Sequence, residues 1–218
     1  MRRAAAWGLS DAHNHRAATD ALLEALRRDD DDHVREMAAW ALAGSSRDDV
    51  LRALAEAARR DASAEVRETS VWALATSDAR EQIDVLEKAL SDESDAVRET
   101  AAWALGELPR RPASRALITA LRDGAPEVRE TAAWALAEIE DSGTASALAE
   151  AFMKETNAEV KMAELRALTM LGQEDQSVLE SALTSKDAEL RARAVRMLAG
   201  GGDGWPQPRP RPRPRPNP

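Results

Sequence analysis

One eleven-residue pattern returns along this chain at a nearly fixed interval, and that regularity constrains the fold more than any other feature. VREMAAWALAG begins at Val34, VRETSVWALAT at Val66, VRETAAWALGE at Val97 and VRETAAWALAE at Val128. Looser copies, VKMAELRALTM and LRARAVRMLAG, begin at Val160 and Leu190. The steps between these starts are 32, 31, 31, 32 and 30 residues. A fixed period of this length is the signature of a solenoid, in which each repeat buries its apolar face only against its neighbours.

The flanking residues predict helices. Three positions before each copy stands Asp31, Ser63, Ser94, Ala125, Asn157 or Asp187. Five of the six are N-cap residues, and the exception, Ala125, is followed by Pro126, which suits a first helical position. Stop signals are expected near Gly44, Pro109, Gly143, Gly172 and Gly200. Between the copies, Ala21-Leu22-Ala25-Leu26, Leu51-Leu54-Ala55 and Ile83-Leu86-Leu90 have helical apolar spacing. Each unit is thus read as a helix hairpin whose second helix is the V-R-E-T-A-A-W-A-L copy.

These copies resemble the HEAT repeat family, in particular its short-repeat branch named after phycobilisome lyases, whose second helix reads V-R-x-x-A-A-x-A-L-G-x-I-G. The resemblance runs over roughly residues 1–200, and Val97 to Leu108 and Val128 to Ile139 match nearly position for position. It implies an all-α, right-handed α-solenoid of about six helix-hairpin repeats. Met1 to Trp7 falls in register with Val97 to Trp103, so an N-terminal half repeat is expected, as if cut from a longer array. The expected division is a repeat array over 1–199, a glycine-rich hinge over 200–204 and an extended Pro/Arg tail over 205–218.

Helical phase separates two faces of the repeated helix. At about 100° per residue, the Ala four positions after the leading Val, the Leu eight after and the Leu or Ile eleven after form one apolar stripe. The Trp six after lies roughly 140° from its centre, and the Glu two after stands one turn below the Trp. The expected result is a ladder of Trp40, Trp72, Trp103 and Trp134 with Glu36, Glu68, Glu99 and Glu130. Trp7 extends it, with Arg3 in place of the Glu. Arg166 and Arg196 occupy the Trp position in the last two copies, and Glu164 stands where the matching repeats have Ala. The resemblance places this ladder on the concave surface. The alternative is that each Trp lies flat over an adjacent repeat and seals the seam.

Charge is divided along the chain. Arg209, Arg211, Arg213 and Arg215 give residues 205–218 a charge of +4, which leaves −13 of the net −9 on residues 1–204. An acidic body repels nucleic-acid phosphates and favours a cationic partner. Trp faces attract proline rings and guanidinium groups, and a carboxylate one turn away can pair with the guanidinium. Armadillo-type import receptors, which this groove resembles in layout, hold extended basic peptides on such a ladder. Their Trp is paired with Asn and here it is paired with Glu, so the comparison concerns binding mode and not cargo.

The tail is itself a candidate ligand. Pro206, Pro208, Pro210, Pro212 and Pro214 alternate with the four arginines, which forces polyproline II with about 9.3 Å between residues on one face. That step approaches the roughly 8–10 Å between packed helices. The leading reading is a non-enzymatic peptide-binding scaffold whose ladder holds an extended Pro/Arg-rich segment, most simply its own tail in cis or from a neighbouring chain, so tail-mediated self-association is also open. The other readings are a regulatory HEAT module cut from a larger enzyme or sensor, and a lyase-like subunit.

Several chemistries lack residues. There is no cysteine, which excludes disulfides, iron–sulfur clusters and Cys-based zinc sites. His13, His15 and His33 are the only histidines and none precedes a Glu, unlike the paired His-Glu ligands of deoxyhypusine hydroxylase. The HEAT-like DNA glycosylases need a basic groove. Asp29 to Asp32 reads as a solvated turn with an N-cap. No metal, cofactor or nucleic acid bound by the array is expected, and no apolar run reaches a membrane-spanning length of about 18 residues. A soluble chain is expected, with the cytoplasm favoured.

Overall fold

The computed structural model describes residues 16–77, 83–108, 112–173 and 175–199. Trp7, the N-terminal half repeat, the stop signals Pro109 and Gly200, the hinge and the tail lie outside the described residues. Within them the chain is helical throughout, with no strand. The first helices of the hairpins are α1 (Arg16–Arg28), α3 (Asp48–Arg60), α5 (Ile83–Ala89), α7 (Arg115–Ala120), α9 (Ala145–Lys154) and α11 (Gln176–Leu183). The second helices are α2 (Asp32–Ala41), α4 (Ala64–Thr76), α6 (Asp95–Glu107), α8 (Pro126–Ile139), α10 (Ala158–Met170) and α12 (Ala188–Leu198).

Every second helix begins one residue after its expected cap. Asp31 Oδ1 accepts from the His33 amide at 3.0 Å, Asn157 Oδ1 from Glu159 and Val160 at 2.9 and 3.1 Å, and Asp187 Oδ1 from Glu189 and Leu190. These bonds satisfy amides that a helix start leaves without partners. The stops follow expectation at Gly44 and Gly172, whose φ values of 76° and 63° terminate α2 and α10 in the left-handed region. Gly143 is different. It lies in a 3-10 turn over Ser142–Thr144, and α8 is ended by Glu140, itself left-handed at φ 57°.

The described residues divide into two compact units, one reaching Leu105 and the other starting at Gly106. In the first unit α1 packs on α2 and α3 on α4, while α1 touches α3 and α2 touches α4. First helices therefore form one layer and second helices another. The second unit repeats the scheme: α9 packs on α10 and α11 on α12, and α10 lies between α8 and α12.

The expected apolar stripe is the core. The leading residues Val34, Val66, Val97, Val128, Val160 and Leu190 are buried, as are Leu42, Leu74, Leu105, Leu136 and Leu168. Burial extends further around each second helix than that stripe, to Ala39, Ala41, Ala73, Ala102, Ala104, Ala133 and Ala135. Small side chains on both flanks let successive second helices approach closely. In α2, α4 and α6 the Glu and Trp positions stay partly exposed between these flanks.

In both units, joints between consecutive repeats are locked by a device built from the Arg after the leading Val. Arg35 donates from Nε and Nη2 to Asp61 at 2.8 and 2.9 Å, and from Nη1 to the carbonyl of Asp29 at 2.9 Å. Arg67 grips Asp92 through two bonds of 2.8 Å and the Asp61 carbonyl at 3.0 Å. In the second unit Arg129 holds Glu155 at 2.6 and 3.1 Å and the Asp123 carbonyl at 2.8 Å. One guanidinium thus closes the turn of its own hairpin and clamps the turn of the following one, in the two-pronged geometry that suits arginine and not lysine. Burial works against ionisation of Asp61, Asp92 and Glu155. The arginine bonds and the backbone amides they accept from nonetheless hold all three below the usual carboxylate range.

Candidate functional site

In the first unit the Glu and Trp positions are alike in burial. Trp40, Trp72 and Trp103 are half-buried, as are Glu36, Glu68 and Glu99. The carboxylates share an electrostatic environment. Burial pushes the Glu68 carboxyl up to about 7, against a hydrogen bond from Thr100 Oγ1 at 3.4 Å, and the charges of Glu99, Glu36 and Glu65 raise it further. Burial also raises Glu36, which faces His33 Nδ1 at 3.6 Å. Like charges on adjacent helices, partly withdrawn from water, favour a proton or another cation. Each of these carboxylates stands one helical turn before an indole on its own helix.

The second unit treats the same residue types differently. Trp134 is 1% exposed, and its Nε1 has no hydrogen-bond partner. It departs from the expected outward orientation and adopts the seam-sealing alternative. Gly106 makes room for it: a Cβ there would stand 2.6 Å from Trp134 Cζ3 and 2.9 Å from the Ala135 Cα. Glu130 is half-buried and its carboxyl is raised, first by burial and then by Glu159, with Arg166 opposing. Glu130 and Trp134 therefore do not present the paired surface expected of them.

Two features went unread in the sequence, and both had a signal there. The Arg clamps were visible as an acid five residues before a leading Val, in Asp61, Asp92 and Glu155, each one repeat beyond an Arg. Gly106 was visible as the one glycine where aligned copies hold Ala43, Ala75 and Ala137. Glu164 did stand out, and the structure keeps it in the core. It is fully buried, neither oxygen has a hydrogen-bond partner, and burial with the nearby Glu155 charge pushes its carboxyl up to about 8, against Arg129 and Lys161.

A separate groove of about 500 Å³ on the first-helix layer is lined by Leu26, Arg27, Arg52, Ala57 and Arg60 among others. Among the described residues no group of three or more His, Cys, Asp or Glu is placed to hold a metal ion. No helix among them is long and apolar enough to cross a membrane.

Comparison with known proteins agrees with this architecture. Solved structures with similar folds include the complex of CpcE and CpcF of phycocyanin lyase from Nostoc sp. PCC7120, at 24% identity over 84% of this chain and 76% of that one, TM-score 0.61. YibA of E. coli matches at 21% identity over 89% and 85%, TM-score 0.61. The designed armadillo repeat protein YIII(Dq)4CqI matches at 20% over 84% and 99%, TM-score 0.53. At these identities the likeness is one of fold. A search among curated protein sequences finds no match. The family description HEAT repeats matches residues 1–75, 51–116, 83–169 and 114–199, and on that coverage the chain belongs to the HEAT-repeat family.

Proposed function

We propose that this HEAT-repeat chain is a non-enzymatic protein-binding scaffold whose Trp/Glu row receives an extended Pro/Arg-rich segment, most simply residues 205–218 of the same or a neighbouring chain. The observation that carries this reading is the partial exposure of Trp40, Trp72 and Trp103, each one turn beyond a half-buried Glu. A guanidinium stacked on an indole gains about 0.5–2 kcal/mol, and the adjacent carboxylate adds a charge-assisted partner. Charge supports the same pairing, since residues 205–218 carry four arginines and the rest of the chain is acidic. A tethered segment acts at an effective concentration in roughly the millimolar range, which favours self-occupancy over capture of a weak outside ligand.

The test is to end the chain at residue 204 and titrate a synthetic peptide of residues 205–218 while following Trp emission. Binding that changes the emission and weakens with salt is expected. No binding and no spectral change at low salt would sink the reading. Trp103→Ala and Glu99→Lys should each weaken binding while helicity stays intact.

A further inference from the structure

Arg191 on α12 is a clamp with one half closed. Its Nη1 donates to the carbonyls of Ser185 and Lys186 at 2.6 and 3.0 Å, closing the turn of its own hairpin as Arg35, Arg67 and Arg129 close theirs. Those three arginines also commit Nε and Nη2 to a carboxylate in the turn of the following hairpin, at 2.6–3.1 Å. Among the described residues no acceptor meets Nε or Nη2 of Arg191. Two carbonyls thus hold its guanidinium in place while the edge that binds a carboxylate stays open. A second observation on the same flank points the same way. The residue four positions after the clamp arginine lies one turn further along that flank. Ala39, Val71, Ala133 and Leu165 occupy this position in α2, α4, α8 and α10 and are at most 1% exposed, whereas Val195 in α12 is 55% exposed. Arg191 and Val195 therefore present together the two groups by which one repeat of this chain receives the next.

We propose that this flank of α12 is a docking face for a helix hairpin of another protein that carries an Asp or Glu in its turn. The carboxylate enters the Arg191 fork and an apolar helix face covers Val195. The inference is independent of the Trp/Glu row. The occupant follows from the joints inside the chain, where an acid-bearing turn fills the fork and the flank beside it is buried. Residues beyond α12 do not supply such a hairpin: 200–204 are glycine except for Asp203, and 205–218 carry no acid and a proline at every second position, which opposes a helix. A second copy does not supply it either. Its turn acids Asp61, Asp92 and Glu155 are already gripped by arginine, and Asp29 and Asp123 are engaged as well.

The probe is the hairpin of residues 77–108, in which Asp92 is released from Arg67 once the segment stands alone. As a labelled synthetic peptide it should bind the full-length chain in fluorescence anisotropy, and Arg191→Gln should weaken that binding about tenfold or more. A lone hairpin must fold as it binds, so the same residues are also copied into the full-length chain after Gly200, in the register of a following repeat. The extended chain should unfold at a higher urea concentration than the original. Arg191→Gln and Val195→Asp should each lower its midpoint further than they lower that of the original chain. Asp92→Asn in the copied segment should lower it too, and combined with Arg191→Gln should cost no more than Arg191→Gln alone. Additive effects of those two changes overturn the docking face, whatever the peptide does. Self-association of the original chain that Arg191→Gln abolishes, read by sedimentation, overturns the assignment to another protein and puts a second copy on this flank.

Discussion

The helices over Val97–Glu107 and Val128–Glu138 differ at one residue in eleven, yet Trp103 in the first unit is half-buried and Trp134 in the second is 1% exposed. Helical phase is the same in both, so phase alone does not decide where an indole goes. The difference lies in the preceding repeat. The position aligned with Gly106 is Ala75 for the repeat before Trp103 and Ala43 for the one before Trp72. Removing a single methyl opens a slot that an indole can fill, because packed helices leave no other void of that size. In the first unit the described indoles stay partly exposed, and in the second the indole is spent on packing.

The widest separation between the units should appear on deleting the indoles. Trp134→Ala is expected to cost about 3–5 kcal/mol in urea-induced unfolding, as for a buried aromatic, and Trp72→Ala about 1 kcal/mol or less. Equal losses would erase the distinction. Next comes Glu164→Ala, which restores the residue found at the aligned positions Ala38, Ala101 and Ala132. The folded chain holds a proton on Glu164 up to about pH 8 that the unfolded chain releases in the ordinary carboxylate range. Stability from this residue therefore falls as pH rises between those limits and is flat above them. The variant should gain about 2 kcal/mol at pH 8.5 and flatten that slope in melts taken across pH. No gain at high pH would show that Glu164 has found a partner. Gly106→Ala should cost about 1–2 kcal/mol through overpacking and shift part of the Trp emission to the red as Trp134 is displaced. The smallest effect is the converse change, Ala75→Gly, at about 0.5–1 kcal/mol from helix propensity. It should draw Trp103 inward and shift emission to the blue; unchanged emission would break the one-methyl explanation.

The fold was legible because repetition multiplies weak signals. A lone Asp31 or Asn157 is an ambiguous cap, but five such residues at one offset, with Ala125-Pro126 at the sixth, fix six helix starts. The recurrence of Glu36, Glu68 and Glu99 in phase with Trp40, Trp72 and Trp103 was legible for a similar reason. The burial of Trp134 was not legible from its own helix, because its cause sits 28 residues earlier at Gly106 and acts across a helix pair. Glu140 ending α8 in place of Gly143 belongs to the same class, since a non-glycine residue rarely adopts a left-handed conformation and composition favours the glycine. The Glu68 environment needed the neighbouring helices in place, because it arises from burial and three surrounding carboxylates and not from local sequence.

The Arg35–Asp61 and Arg67–Asp92 clamps also bear on how such a chain changes length. The two halves of each clamp lie 26 and 25 residues apart and always belong to consecutive repeats. A whole repeat copied into the array brings one arginine and one acid with it, and both new joints are closed by residues already in place. Duplication in register is therefore neutral at the seams, whereas a shift of a few residues leaves a guanidinium and a carboxylate stranded on either side. The clamp acts as a reading frame for growth by tandem copying, and it makes this array a natural template for versions with more or fewer repeats.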